Sequence, residues 1–145
     1  MKTSAPKWIV ALLWILAAMD IITGLEMFFM PSTWFFKLVP GVPETGAFNA
    51  HLVMDGGTFF LAVGIGLAAA AIDPYRNTIA IVVAAVAGVM HSILHLYSHA
   101  AGLLSEKHMP TEIFGIFFPA LLMIGIAFIL YRTPHAREFA SARAA

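Results

Sequence analysis

The chain has 145 residues, 61% hydrophobic and 11% charged, with no cysteine and a formal net charge of zero. Soluble domains carry about 25% charged residues, so this balance and a mean hydropathy of +0.88 exclude an ordinary globular domain and place the chain in a membrane. The missing thiol excludes disulfides, thiolate metal sites and cysteine nucleophiles, and the lack of a basic cluster with interleaved aromatics argues against a nucleic-acid partner.

A spanning helix needs about 20 mainly apolar residues. Four stretches meet this requirement, 8–30, 49–72, 78–99 and 111–131. The first opens like a secretory signal, with Lys2 and Lys7 ahead of an apolar run. That run continues past Ala17-Ala18 to Met30, so it is read as a retained helix. Pro31, Pro40-Gly-Val-Pro43 with Gly46, Asp73-Pro74 and Pro110 punctuate the breaks. No connection is long enough to build a soluble domain. The expected architecture is all-α: a single domain over 1–145, an integral membrane four-helix bundle set in a lipid bilayer. Lys2, Lys7, Arg76, Arg132, Arg137 and Arg143 fall on one side and only Lys37 and Lys107 on the other. This predicts cytoplasmic N- and C-termini in a bacterial inner membrane, with the first and third connections facing outward.

In the first connection, Ser32 is expected to cap a short aromatic helix containing Trp34, Phe35 and Phe36, an anchor at the headgroup level or a lid over a site between helices. The second span is rich in small residues (Gly56, Gly57, Gly64, Gly66, Ala68), as is the third (Ala80, Ala84, Ala85, Ala87, Gly88), so these two are expected to pack closely. Asp73-Pro74-Tyr75-Arg76 reads as a turn, and Glu106-Lys107-His108 as a solvated loop. Scattered methionines are read as core filling. Tyr97 is read as an interfacial residue, and the tail beyond Thr133, with Arg137 and Arg143, as lying on an anionic leaflet or unstructured.

The third span ends in His91-Ser-Ile-Leu-His95-Leu-Tyr-Ser-His99, three imidazoles four residues apart and so on one helical face. The second opens with His51-Leu-Val-Met-Asp55 at the same spacing. At about 1.5 Å of rise per residue, His51 and His99 lie near the outer surface, His95 about 6 Å in, Asp55 about 9 Å in and His91 about 12 Å in. Asp20, Glu26 and Glu112 also lie in the middle or outer part of the bundle. Ionisable groups at membrane depth are costly and mark sites. His51, Asp55, His91 and His95 supply a donor set suited to a transition metal ion such as Cu, Fe or Zn, with Asp20, Glu26 and Glu112 as orienting partners. Two alternatives use the same residues. A haem b can be clamped between histidines of different helices, drawn from His51, His91 and His95, or a hydrogen-bonded His-Asp-His network can lock the helices or pass protons.

The run Val39-Pro-Gly-Val-Pro-Glu-Thr-Gly-Ala-Phe-Asn-Ala-His51, followed by Asp55-Gly-Gly and a later His91-x-x-x-His95, resembles a pattern in small four-helix bacterial membrane proteins, broadly the DoxX-like group. The resemblance implies the four-helix fold and the pairing of His51 and Asp55 with His91 and His95. It implies no activity and gives His99 no role. The expected function is a membrane-embedded metal-binding protein acting in redox chemistry or metal handling. The alternatives are a b-type haem protein and a non-enzymatic subunit of a larger membrane complex or homo-oligomer.

Overall fold

A computed structural model describes residues 5–133, which leaves the tail and its Arg137 and Arg143 outside the described residues. The described chain is helical and contains no strand. Four helices are long and apolar enough to cross a membrane: α1 (Lys7–Phe29), α2 (Ala50–Ile72), α3 (Thr78–Ala100) and α4 (Glu106–Arg132). Each of the first three has 23 residues, or about 35 Å at the α-helical rise, enough to cross a hydrocarbon core of about 30 Å. Large apolar side chains such as Ile72, Phe59 and Phe114 are exposed on the outer surface. Exposed apolar surface on this scale is a liability in water and ordinary in lipid.

Helix α4 begins before the expected start at 111. Pro110, expected as a break, sits in the first turn of the segment Met109–Glu112, where a missing N–H costs nothing. The widened π turn Ile113–Phe117 then precedes Pro119, which also lacks an N–H to donate back. Such local widening is a usual response to an interrupted helical ladder. At the start of α2, Asn49 caps as its residue type favours, its side chain accepting the Leu52 N–H at 3.2 Å. Ser32 does not cap: it lies within the helical turn Pro31–Thr33, which Met30 precedes without a side-chain bond.

The closest helix pair is α1 with α2, not α2 with α3. A Cβ added to Gly57 would lie 2.9 Å from the Gly24 carbonyl oxygen, and one on Gly64 would lie 2.9 Å from the Ile21 nitrogen and 3.0 Å from the Ala17 oxygen. Ala17 and Gly24 are seven residues apart on α1, as are Gly57 and Gly64 on α2. Two antiparallel helices with small residues at this interval meet backbone to backbone, gaining dispersion contacts that lipid cannot supply. Below this contact, Ile9, Leu13, Leu67, Ile81, Ile126 and Leu130 from all four helices form a fully buried core. That core lies at the end of the bundle carrying the 73–77 turn, called here the terminal end. The opposite, loop end carries the polar groups.

Two connections clasp each other at the loop end. Gly41 adopts φ +89°, and a Cβ there would meet Leu104 Cδ1 at 2.8 Å and His108 Cδ2 at 3.0 Å, so this position needs glycine twice over. Glu44 then reaches across. Its carboxylate accepts from Lys107 Nζ at 2.7 Å and the Ser105 N–H at 3.2 Å, and lies 3.1 Å from His108 Nε2. The segment Glu106–His108 is therefore a 3₁₀ turn that holds the first connection, not a free loop.

These hydrogen bonds, led by Lys107 and followed by His108 and Ser105, hold the Glu44 carboxyl down from 4.5 to about 2. Because the folded value is the lower one, the clasp contributes fully above about pH 4.5 and is lost as pH falls through about 2. A carboxyl ¹³C titration of Glu44 is expected to show a midpoint near 2, and Glu44→Gln is expected to lower amide protection at Ser105. A midpoint near 4.5 removes the clasp.

Candidate functional site

The site is built on the last two turns of α3 and the first turns of α4. The i, i+4 spacing stacks His91, His95 and His99 on one face of α3, with the His91 and His95 ring centroids 4.7 Å apart. Facing them, Glu112 is the one buried charged residue among those described. Its Oε2 lies 2.9 Å from His99 Nε2 in a hydrogen bond and 3.3 Å from His95 Nδ1. The second contact is within ion-pair reach, but its angle does not make a hydrogen bond, and His95 Nδ1 has no other aligned partner. The Glu112 and His99 side chains are 7% and 5% exposed. A carboxylate at such a position is tolerable because an imidazole N–H faces it.

Toward the loop-end surface the column continues. His99 Nδ1 lies 3.7 Å from Oε1 of Glu106, whose side chain is 79% exposed. In the other direction His91 packs edge-on against Phe60 of α2, with centroids 6.0 Å apart, and lines a pocket of about 230 Å³. Asp20, from the middle of α1, lines the same pocket. The polar groups thus form a ladder that descends from the surface into the bundle: Glu106, His99, Glu112, His95, His91.

His51 and Asp55 stand apart from it. They pair with each other at 3.4 Å at the start of α2, with His51 87% exposed. The cause is helical phase. Phe60 is the α2 residue that faces His91, and at 100° per residue His51 lies about 180° and Asp55 about 140° around the helix from it. Equal depth did not mean a shared face. Glu26 is half-buried, and its backbone carbonyl accepts the Met30 N–H at 2.8 Å. Ser92 and Ser98 spend their hydroxyls on the Gly88 and Leu94 carbonyls of their own helix.

The arrangement does not fit the metal set drawn from the sequence. Among the described residues no group of three or more His, Asp or Glu side chains is placed to hold an ion. Glu112 Oε2 points at the imidazoles rather than joining them around a common point. Haem fits no better. His91 and His95 lie on one helix and His51 is turned outward, so no two of them face each other across a gap between helices. His99 and Glu106 lie outside the metal set expected from the sequence. The signal for His99 was present in the unbroken spacing of four from His91, whereas Glu106 gave none.

No protein-family model, no curated protein and no solved structure matches the chain.

Proposed function

We propose that this multi-pass membrane protein moves protons between its loop-end surface and the buried pocket along Glu106, His99, Glu112, His95 and His91. The observation that carries the reading is the buried Glu112 carboxylate, one oxygen of which lies within 2.9 and 3.3 Å of two imidazoles of another helix. Imidazole and carboxylate are the side chains that exchange protons most readily near neutral pH. The step from Glu106 spans 3.7 Å, within reach of a rotation of that exposed side chain or of a bridging water. The terminal half of the bundle is plain hydrocarbon packing, so the ladder ends at the pocket and serves whatever binds there. It delivers or removes a proton at a membrane-buried site and is no conducting channel.

The unequal distribution of positive charge supports a bacterial inner-membrane setting with cytoplasmic termini. Lys7, Arg76 and Arg132 lie at the terminal end, and Lys37 and Lys107 at the loop end. The ladder then opens to the outer face.

The test is solvent exchange of the His91 ring proton in ¹⁵N-histidine-labelled protein in nanodiscs. Glu112→Gln and His99→Phe are each expected to slow that exchange by about 10²-fold, the low end of general acid–base contributions. His51→Ala is expected to leave it unchanged. Unaltered exchange in both ladder variants would mean that protons reach His91 by another route.

A further inference from the structure

The pocket beside His91 has a composition that selects its occupant. Its walls are largely apolar, including Phe59, Phe60, Ile116 and Met123, with the small residues Ala84, Ala87, Gly88 and Gly115 making up much of the rest. Two groups in the lining are ionisable, Asp20 and His91, and no lysine or arginine lines it. Neither side chain has a hydrogen-bond partner among the described residues: His91 makes only ring contacts, with Phe60 and His95. A carboxyl group in the middle of a spanning helix, facing a cavity and without a protein partner, is a functional position by default.

We propose that this pocket binds a small lipophilic amine in its protonated form. The ammonium group donates to the Asp20 carboxylate, the faces of Phe59 and Phe60 supply cation–π attraction, and the apolar body fills the remainder. Phe59 is largely exposed on the outer surface of α2, which places the mouth of the pocket toward lipid, where such molecules partition. The size fits one or two rings: an apolar protein cavity of about 150 Å³ accepts benzene, and this one measures about 230 Å³. An anionic ligand is disfavoured because the pocket offers it a carboxylate and no fixed cation. The widened turn Ile113–Phe117 brings Gly115 to the wall, where a Cβ would meet nothing within 4 Å. Recognition of the amine by Asp20 stands apart from the proton-relay reading, which ends at His91 on the same pocket wall.

The test is equilibrium dialysis of protein in phosphatidylcholine nanodiscs against three probes of one shape: phenethylamine, phenethyl alcohol and phenylacetate. Empty nanodiscs supply the partitioning baseline. The amine is expected to bind about tenfold more tightly than the alcohol, a gap of about 1.4 kcal/mol, and phenylacetate not at all. Asp20→Asn is expected to erase the preference for the amine while leaving alcohol binding within about twofold. Gly115→Leu fills the cavity and is expected to abolish binding of the amine and the alcohol together. Glu112→Gln is expected to retain amine binding, so failure of the relay and failure of the pocket are separable. Equal binding of amine and alcohol, tighter binding of phenylacetate, or amine binding unchanged in Asp20→Asn overturns the proposal.

Discussion

Gly57→Leu is expected to be among the most damaging single changes in the bundle, lowering stability by about 3 kcal/mol or more, the upper range for overpacking a tight interior. The argument is steric. The atom nearest an added Cβ is the Gly24 carbonyl oxygen at 2.9 Å, with Met27 Cβ at the same distance and the Phe28 nitrogen at 3.1 Å. Backbone cannot rotate aside as a flexible side-chain end can, so α1 and α2 must separate along their length. Gly57→Ala sets the same Cβ against the Gly24 backbone and is expected to cost about 1–3 kcal/mol, less than leucine only because it drives no further atoms into the contact. The control is Gly125→Ala on α4, where a Cβ meets nothing within 4 Å. It is expected to be neutral or to stabilise by about 0.5–1 kcal/mol through helix propensity. Unfolding in mixed detergent and dodecyl sulfate micelles ranks the three. Equal tolerance of alanine at 57 and 125 would mean that α1 and α2 are not in backbone contact.

The damage would not stay local, because the α1–α2 contact fixes the rotation of α2 and so decides which of its residues meet α3. This is also where reading the sequence stopped short. Spans were legible because length and apolarity alone define them. The histidine column was legible because 91, 95 and 99 repeat at one interval. The partner of that column was not. His51 and Asp55 matched it in depth and in chemistry, yet depth fixes only the coordinate along the helix, and the rotation of α2 comes from Gly57 and Gly64 meeting α1. The informative pattern was the matching seven-residue interval, Ala17 to Gly24 and Gly57 to Gly64. It was hidden by the greater number of small residues in the second and third spans. Glu112 was visible as an intramembrane carboxylate, but its position opposite His95 and His99 depends on α4 continuing through Pro110. The clasp by Glu44 joins residues more than sixty apart and has no local signature.

Replacing Glu112 with alanine is expected to cost about 2–3 kcal/mol, the range for losing a hydrogen bond to a charged group. The Glu112 and His99 side chains are almost fully buried, so water cannot substitute freely for the lost oxygen, and both His99 Nε2 and His95 Nδ1 lose their nearest acceptor. Glu112→Gln is expected to cost less, about 1 kcal/mol, since an amide oxygen can still accept from His99. The pairwise part is isolated by a double-mutant cycle with His99→Phe. A coupling of about 1.5–2 kcal/mol is expected, because once the imidazole is gone the buried carboxyl has lost its main partner and its removal costs little. Glu112→Leu combined with His99→Phe should recover much of the stability lost in either single variant, as two apolar groups of similar shape need no hydrogen bond. The same double variant should still fail the ring-proton exchange test at His91, separating the structural work of the pair from its chemical work. A coupling near zero would show that the two side chains, although 2.9 Å apart, do not hold α3 and α4 together.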